Sequence, residues 1–144
     1  MRVLIDADGS PVVDLTIRIA KGHNIPCFII CDSAHYFERD DATTITVSTG
    51  SDSTDYKIAN MINPGDVVVT QDFGLAAMCL AKKALPINQD GMIYTDNNIG
   101  PLLEQRAMSA KIRRAGGRLS GPSKRTEEQN TAFGLALSNL FGTK

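Results

Sequence analysis

The run Asp66-Val67-Val68-Val69-Thr70 constrains the fold most. Three consecutive β-branched apolar residues leave no wet face, so the strand they form is covered on both sides. Strands of that kind belong to parallel sheets with helices packed on each face. Other segments fit the same plan. RVLID (2–6), PCFIICD (26–32), ATTITVS (42–48) and LPI (85–87) read as shorter strands. A helix is predicted after Ser10, with Ser10 as N-cap and Pro11 at its first position, where a missing N–H costs nothing. Asp14, Arg18 and Lys21 fall on its polar face, Val12, Leu15 and Ile19 on an apolar one, and Gly22 or Asn24 ends it. Further helices are predicted over 53–63, capped by Ser51 or Asp52, over 73–83, over 95–114 with Pro101 near the start, and over 126–141. The expected architecture is α/β: a three-layer α/β/α arrangement around a mainly parallel sheet. At 144 residues the chain suits a single domain, 1–144, with a linker and a C-terminal helix 126–141 at its end.

Several classes are excluded. The longest stretch without a charged residue, 129–143, contains Asn, Gln, Gly and Thr, so no membrane span is expected. Asp6 lies too early for a secretory signal peptide. Cys27, Cys31 and Cys79 cannot build a disulfide framework and read as reduced thiols, which points to the cytoplasm. His23, Cys27, Cys31 and His35 recur every four residues, but Cys27 and Cys31 on a strand lie roughly 13 Å apart, too far to share one zinc ion. The sequence contains no Gly-x-Ser-x-Gly elbow, no P-loop and no Gly-x-Gly-x-x-Gly after a strand.

In a parallel α/β sheet, ligands bind beyond the carboxyl ends of the strands. Acids collect there in this sequence: Asp6 and Asp8 after the first strand, Asp32 after the second, Asp72 after the valine run. Asp55 opens the stripe that Ile58, Ala59 and Ile62 continue on the predicted 53–63 helix, so it points inward rather than to water. Carboxylates crowded at one edge suit a hard divalent cation, Mg²⁺ or Mn²⁺, which takes oxygen ligands and can activate water against a phosphate ester. Simpler roles exist for each: Asp72 and Asp52 as helix caps, Asp8 in an Asx turn with Gly9, Asp32 as a loop acid.

Charge is unevenly distributed. Residues 1–110 carry eight basic and fourteen acidic side chains. Residues 111–125 carry Lys111, Arg113, Arg114, Arg118, Lys124 and Arg125 and no acid. This basic linker is a candidate phosphate contact, or a solvated segment that balances the body.

Together DADGSP, STDYKIAN, PGDVVVTQDFGLAA and KIRRAGGRLSGPSKRT resemble the bacterial YaiI/YqxD family over about residues 2–141. That family is placed with the PIN-like nucleases, so the resemblance implies a PIN-like α/β/α fold that gathers acids around Mg²⁺ or Mn²⁺ and cuts RNA. Asp6 resembles the acid ending the first PIN strand, Asp55 is similar to the acid opening a middle helix, and Asp72 resembles the Thr-x-Asp acid after the central strand. Asp8 belongs to the family's own opening motif. The intermediate glutamate usual in PIN domains has no counterpart. The expectation is a metal-dependent ribonuclease with Asp6, Asp55 and Asp72 on the metal, Asp8 assisting, and the six basic residues gripping RNA phosphates. Two alternatives stand beside it. One is a nucleic-acid or metal-binding module without catalysis. The other is a phosphatase of the haloacid dehalogenase type, since DADGS resembles its Asp-x-Asp-Gly-Thr opening.

Overall fold

The structure, a computed structural model, describes residues 1–32, 39–49, 53–116 and 124–142. Along the chain run β1 (Val3–Asp6), α1 (Val13–Gly22), β2 (Cys27–Asp32), β3 (Thr43–Val47), α2 (Ser53–Met61), β4 (Val67–Val69), α3 (Phe73–Ala81), β5 (Leu85–Ile87), α4 (Ile99–Arg114) and α5 (Glu127–Gly142). The five strands form one all-parallel sheet in the order β3-β2-β1-β4-β5. As the unbroken valine run requires, β4 is buried throughout and paired on both edges.

Alternation along the strands divides the core in two. Val3, Ile5, Val67 and Val69 face α1 and α5, where Ile17, Phe133, Leu137 and Phe141 cover them. Leu4, Ile30 and Val68 face α2 and α3, where Ile58, Leu75 and Cys79 cover them. The result is the expected three layers, with helices on both faces of the sheet. Outside α3 lies α4, which buries no residue and leaves Leu103, Met108 and Ile112 exposed.

Three helix starts differ from the sequence expectation. α1 begins at Val13, after Pro11; the Ser10 hydroxyl accepts only the Val12 N–H, at 3.4 Å. The preceding turn uses Gly9 at φ 76°, closed by the Ser10 N–H on the Ala7 carbonyl, and this delays the helix. Its buried stripe is therefore Val13, Thr16, Ile17 and Ala20, with Leu15 and Ile19 flanking it. α4 begins at Ile99, because Thr95 and Asn98 exchange reciprocal side-chain-to-backbone bonds (2.8 and 3.2 Å) that form a turn instead. Thr126 lies just outside α5 and forms a capping box with Gln129, at 2.8 and 3.3 Å. The proposed caps Ser51 and Asp52, and His35, lie outside the described residues.

The amino end of the sheet holds a cluster that no local pattern announced. Asp66, 3% exposed, accepts the Arg2 side chain at 2.7 and 3.2 Å, the Arg2 N–H at 3.1 Å and the Asn63 N–H at 2.9 Å. Burial alone would raise its carboxyl, but these hydrogen bonds and the guanidinium charge hold it below the usual range. At the other end of β5, Gly91 (φ 90°) lies so close to α5 that an added Cβ would come within 2.7 Å of the Ala132 carbonyl oxygen. Only glycine fits there.

Candidate functional site

β1 has β2 on one side and β4 on the other, so the sheet's order reverses beside it. The carboxyl ends of β1 and β4 form the switch point at which such sheets bind ligands. Their register pairs Ile5 with Val69 and so brings Asp6 beside Thr70. The Thr70 hydroxyl donates to Asp6 Oδ2 at 2.8 Å and accepts the Asp72 N–H at 3.0 Å. The Thr70 carbonyl accepts the buried Tyr94 hydroxyl at 3.1 Å, which fixes this strand end further. Thr70 thus sets the spacing of the two acids.

Asp72 is the N-cap of α3, accepting the Leu75 N–H at 3.0 Å. It has the capping role and also lines the site. Arg106 of α4 approaches its Oδ1 at 3.7 Å. Gly74 leaves room for this approach, since a Cβ there would sit 3.1 Å from Asp72 Oδ1 and 3.7 Å from the Arg106 guanidinium. Asp6 Oδ1 and Asp72 Oδ2 accept no hydrogen bond from the described residues.

Asp8 lies in the turn after β1. Its carboxylate accepts the Asp32 N–H at 3.3 and 3.2 Å and the Thr54 hydroxyl at 3.1 Å. It therefore ties the end of β2 and the start of α2 to the β1 turn, in place of a local Asx turn. Asp6, Asp8 and Asp72, with Gly9 and Gln71, line one open depression of about 330 Å³. Asp55, in the first turn of α2, lines instead a neighbouring cleft of about 340 Å³ that shares Asp72. Burial pushes the Asp6 carboxyl up to about 6; the Thr70 hydrogen bond opposes this, and the charges of Asp72 and Asp8 add to it.

The donor atoms are carboxylate and hydroxyl oxygens, which hard cations prefer. Among the described residues, no three His, Cys, Asp or Glu side chains come together as a metal-holding group. Oxygens of this kind are what an ion such as Mg²⁺ takes when one or two carboxylates hold it and water or substrate oxygens complete its shell.

The basic residues separate into distinct settings. Lys111, Arg113 and Arg114 are exposed in the last turn of α4, at the negative end of its dipole. Arg113 shares a groove with Phe73, Gln105 and Arg106. Lys124 is exposed, and Arg118 lies outside the described residues. Arg125 has a fixed structural task. It binds Asp90 at 2.8 Å, Asn130 at 2.7 Å and the Gln89 carbonyl at 2.5 Å, and so clasps the start of α5 to the loop after β5.

The cysteines Cys27, Cys31 and Cys79 are free and buried. Burial pushes the Cys27 and Cys79 thiols up to about 12, so neither is a nucleophile near neutrality. No helix among the described residues is long and apolar enough to cross a membrane.

A profile described as "Uncharacterized BCR, YaiI/YqxD family" matches residues 4–143. The chain belongs to the YaiI/YqxD family. Relatives in this family align with it almost end to end. A UPF0178 protein of Exiguobacterium sibiricum is 50% identical over 144 residues, covering 100% of this chain and 99% of the relative. One from Ruminiclostridium cellulolyticum is 47% identical over 137 residues, covering 95% and 90%. One from Clostridium acetobutylicum is 38% identical over 143 residues, covering 98% and 97%. No solved structure matches the chain.

Sequence reasoning met Thr70 only as part of the Thr-x-Asp motif, without a role, and missed Thr54, Tyr94 and Arg106. Thr70 had a usable signal, since a Thr two residues before an acid at a strand end can accept that acid's N–H. Arg106 had none, because its position depends on how α4 packs on α3.

Proposed function

We propose that this YaiI/YqxD-family chain is a PIN-like, Mg²⁺- or Mn²⁺-dependent ribonuclease, acting as one domain over 1–144 in the reducing cytoplasm. The observation that carries the reading is the pair Asp6 and Asp72, held beside each other by Thr70 at the switch point. The raised Asp6 carboxyl supports it, since crowded acids at a sheet edge are the expected setting for a cation. Asp6 and Asp72 would hold the ion through their open oxygens, with Asp55 approaching from the adjoining cleft. When bound, the ion supplies Lewis-acid polarisation of a phosphodiester. Asp8 lines the depression and positions the β1 turn through Asp32 and Thr54. Lys111, Arg113, Arg114 and Lys124, with Arg118, would grip phosphates without reading bases. Arg125 is occupied by its clasp. Free, buried cysteines agree with a reducing compartment.

The test is cleavage of an end-labelled single-stranded RNA in Mn²⁺. Asp72→Asn is expected to abolish cleavage and leave the thermal midpoint nearly unchanged, because asparagine caps a helix as well as aspartate does. Cleavage that survives in this variant removes the assigned site. The missing counterpart of the intermediate PIN glutamate favours one second reading, a binding module without catalysis. A wild-type protein that binds RNA and never cuts it would establish that reading instead.

A further inference from the structure

The cleft between α2 and α3 lies beside the acid depression, and Asp72 lines both. Its volume, about 340 Å³, is in the range of small-molecule sites. Tyr56 stands at its rim and is 61% exposed, in contrast to Tyr94, which is 1% exposed in the core. Met78 adds an apolar wall, and Arg106 adds a cation. Arg106 is 58% exposed and lies 3.7 Å from Asp72, a loose pair that leaves its donors accessible. Gly74 keeps the wall beside Asp72 clear, since a Cβ there would sit a tight 3.1 Å from Asp72 Oδ1.

A flat aromatic ring, a polarisable thioether and a guanidinium around one cleft match a ligand with a flat π face and an attached anion. Nucleobases have that face, and base–aromatic stacking tolerates any sequence. A guanidinium binds phosphate with two parallel donors. We infer that the α2–α3 cleft is a nucleobase subsite beside the acids, in which Tyr56 stacks on an unpaired base and Arg106 meets the adjoining phosphate. The inference rests on the nuclease reading for its substrate class. It goes further by naming where the strand lies and by requiring an unpaired base, because a base inside a duplex cannot expose a face to Tyr56.

The experiment is fluorescence anisotropy of a fluorescein-labelled single-stranded RNA 10-mer in EDTA, with the same sequence as DNA and as an RNA duplex. Tyr56→Ala is expected to weaken single-strand binding roughly five- to hundredfold, for RNA and DNA alike. Tyr56→Phe, which keeps the ring, is expected to bind as the wild type does. Duplex binding is expected to be unchanged by either variant. Equal affinity of Tyr56→Ala and wild type overturns the subsite, as does a wild type that binds no single strand. A loss confined to RNA overturns stacking in favour of a ribose contact. Failure here is separable from failure of the nuclease reading. If Tyr56→Ala binds normally while Asp72→Asn still abolishes cleavage, the subsite falls and the nuclease stands. If Tyr56→Ala loses binding while Asp72→Asn still cuts, the nuclease site falls and the subsite stands.

Discussion

β1 and β4 lie side by side, and each end of that pair carries a carboxylate with an opposite fate. At the amino end, Asp66 is buried and clasped by Arg2, with its carboxyl held below the usual range. At the carboxyl end, Asp6 meets a threonine hydroxyl and two other acids, and its carboxyl rises to about 6. The same residue type in the same pair of strands is stabilising at one end and costly at the other. The proposed nuclease role would give that cost a use, because a bound cation would relieve it.

The largest effect should come from breaking the satisfied end. Arg2→Ala leaves Asp66 buried without its cation, and a loss of ~3 kcal/mol is expected in urea unfolding at pH 7. Because the folded Asp66 carboxyl is lowered, its contribution is complete above the unfolded pKa and disappears as pH falls through the folded value. The Arg2→Ala defect should therefore shrink toward strong acid.

Removing the charge at the other end should have the opposite sign. Asp6→Asn is expected to stabilise the protein by ~1–3 kcal/mol at pH 8 in EDTA. The folded Asp6 carboxyl is raised, so ionisation above pH about 6 costs folding free energy. That cost falls as pH drops through 6 and is gone below the unfolded value near 4. The gain from the substitution should follow the same course. Asp6→Asn less stable than wild type at pH 8 would mean that the two ends do not differ as described.

The smallest effect concerns the second arginine. Arg106 pairs with Asp72 only loosely, with side chains 58% and 31% exposed. Arg106→Gln is expected to change stability by less than ~0.5 kcal/mol at physiological salt, in contrast to Arg2→Ala. A loss near that of Arg2→Ala would show the carboxyl end to be as firmly paired as the amino end.

The legible and illegible parts of the molecule divide along sequence distance. The valine run announced an interior parallel strand, and the acids at the strand ends announced where carboxylates collect, because both follow from local pattern. Asp6, Asp8 and Asp72 were found that way, and they line one depression. The strand order was not legible, nor was the Arg2–Asp66 clasp, whose partners are 64 residues apart. Inward pattern on α2 marked Asp55, but only the packing of α2 against α3 put it in a separate cleft. Helix starts failed where a turn competed with the cap: Gly9 before α1, and Thr95 with Asn98 before α4. Arg125 looked like part of a continuous basic segment, but its task depends on Asp90, which lies far away in the sequence.

The covering of the sheet by α5 has a consequence for how the protein is made. Among the described residues all five strands lie within the first 87, yet Phe133, Leu137 and Phe141 complete the cover over Val3, Ile5, Val67 and Val69. On the ribosome the sheet can assemble early, with the part of one apolar face that α5 covers still bare. The face is sealed only when the final helix leaves the exit tunnel. Between those moments the nascent chain presents a greasy surface built from its first residues, and chaperones bind surfaces of that kind.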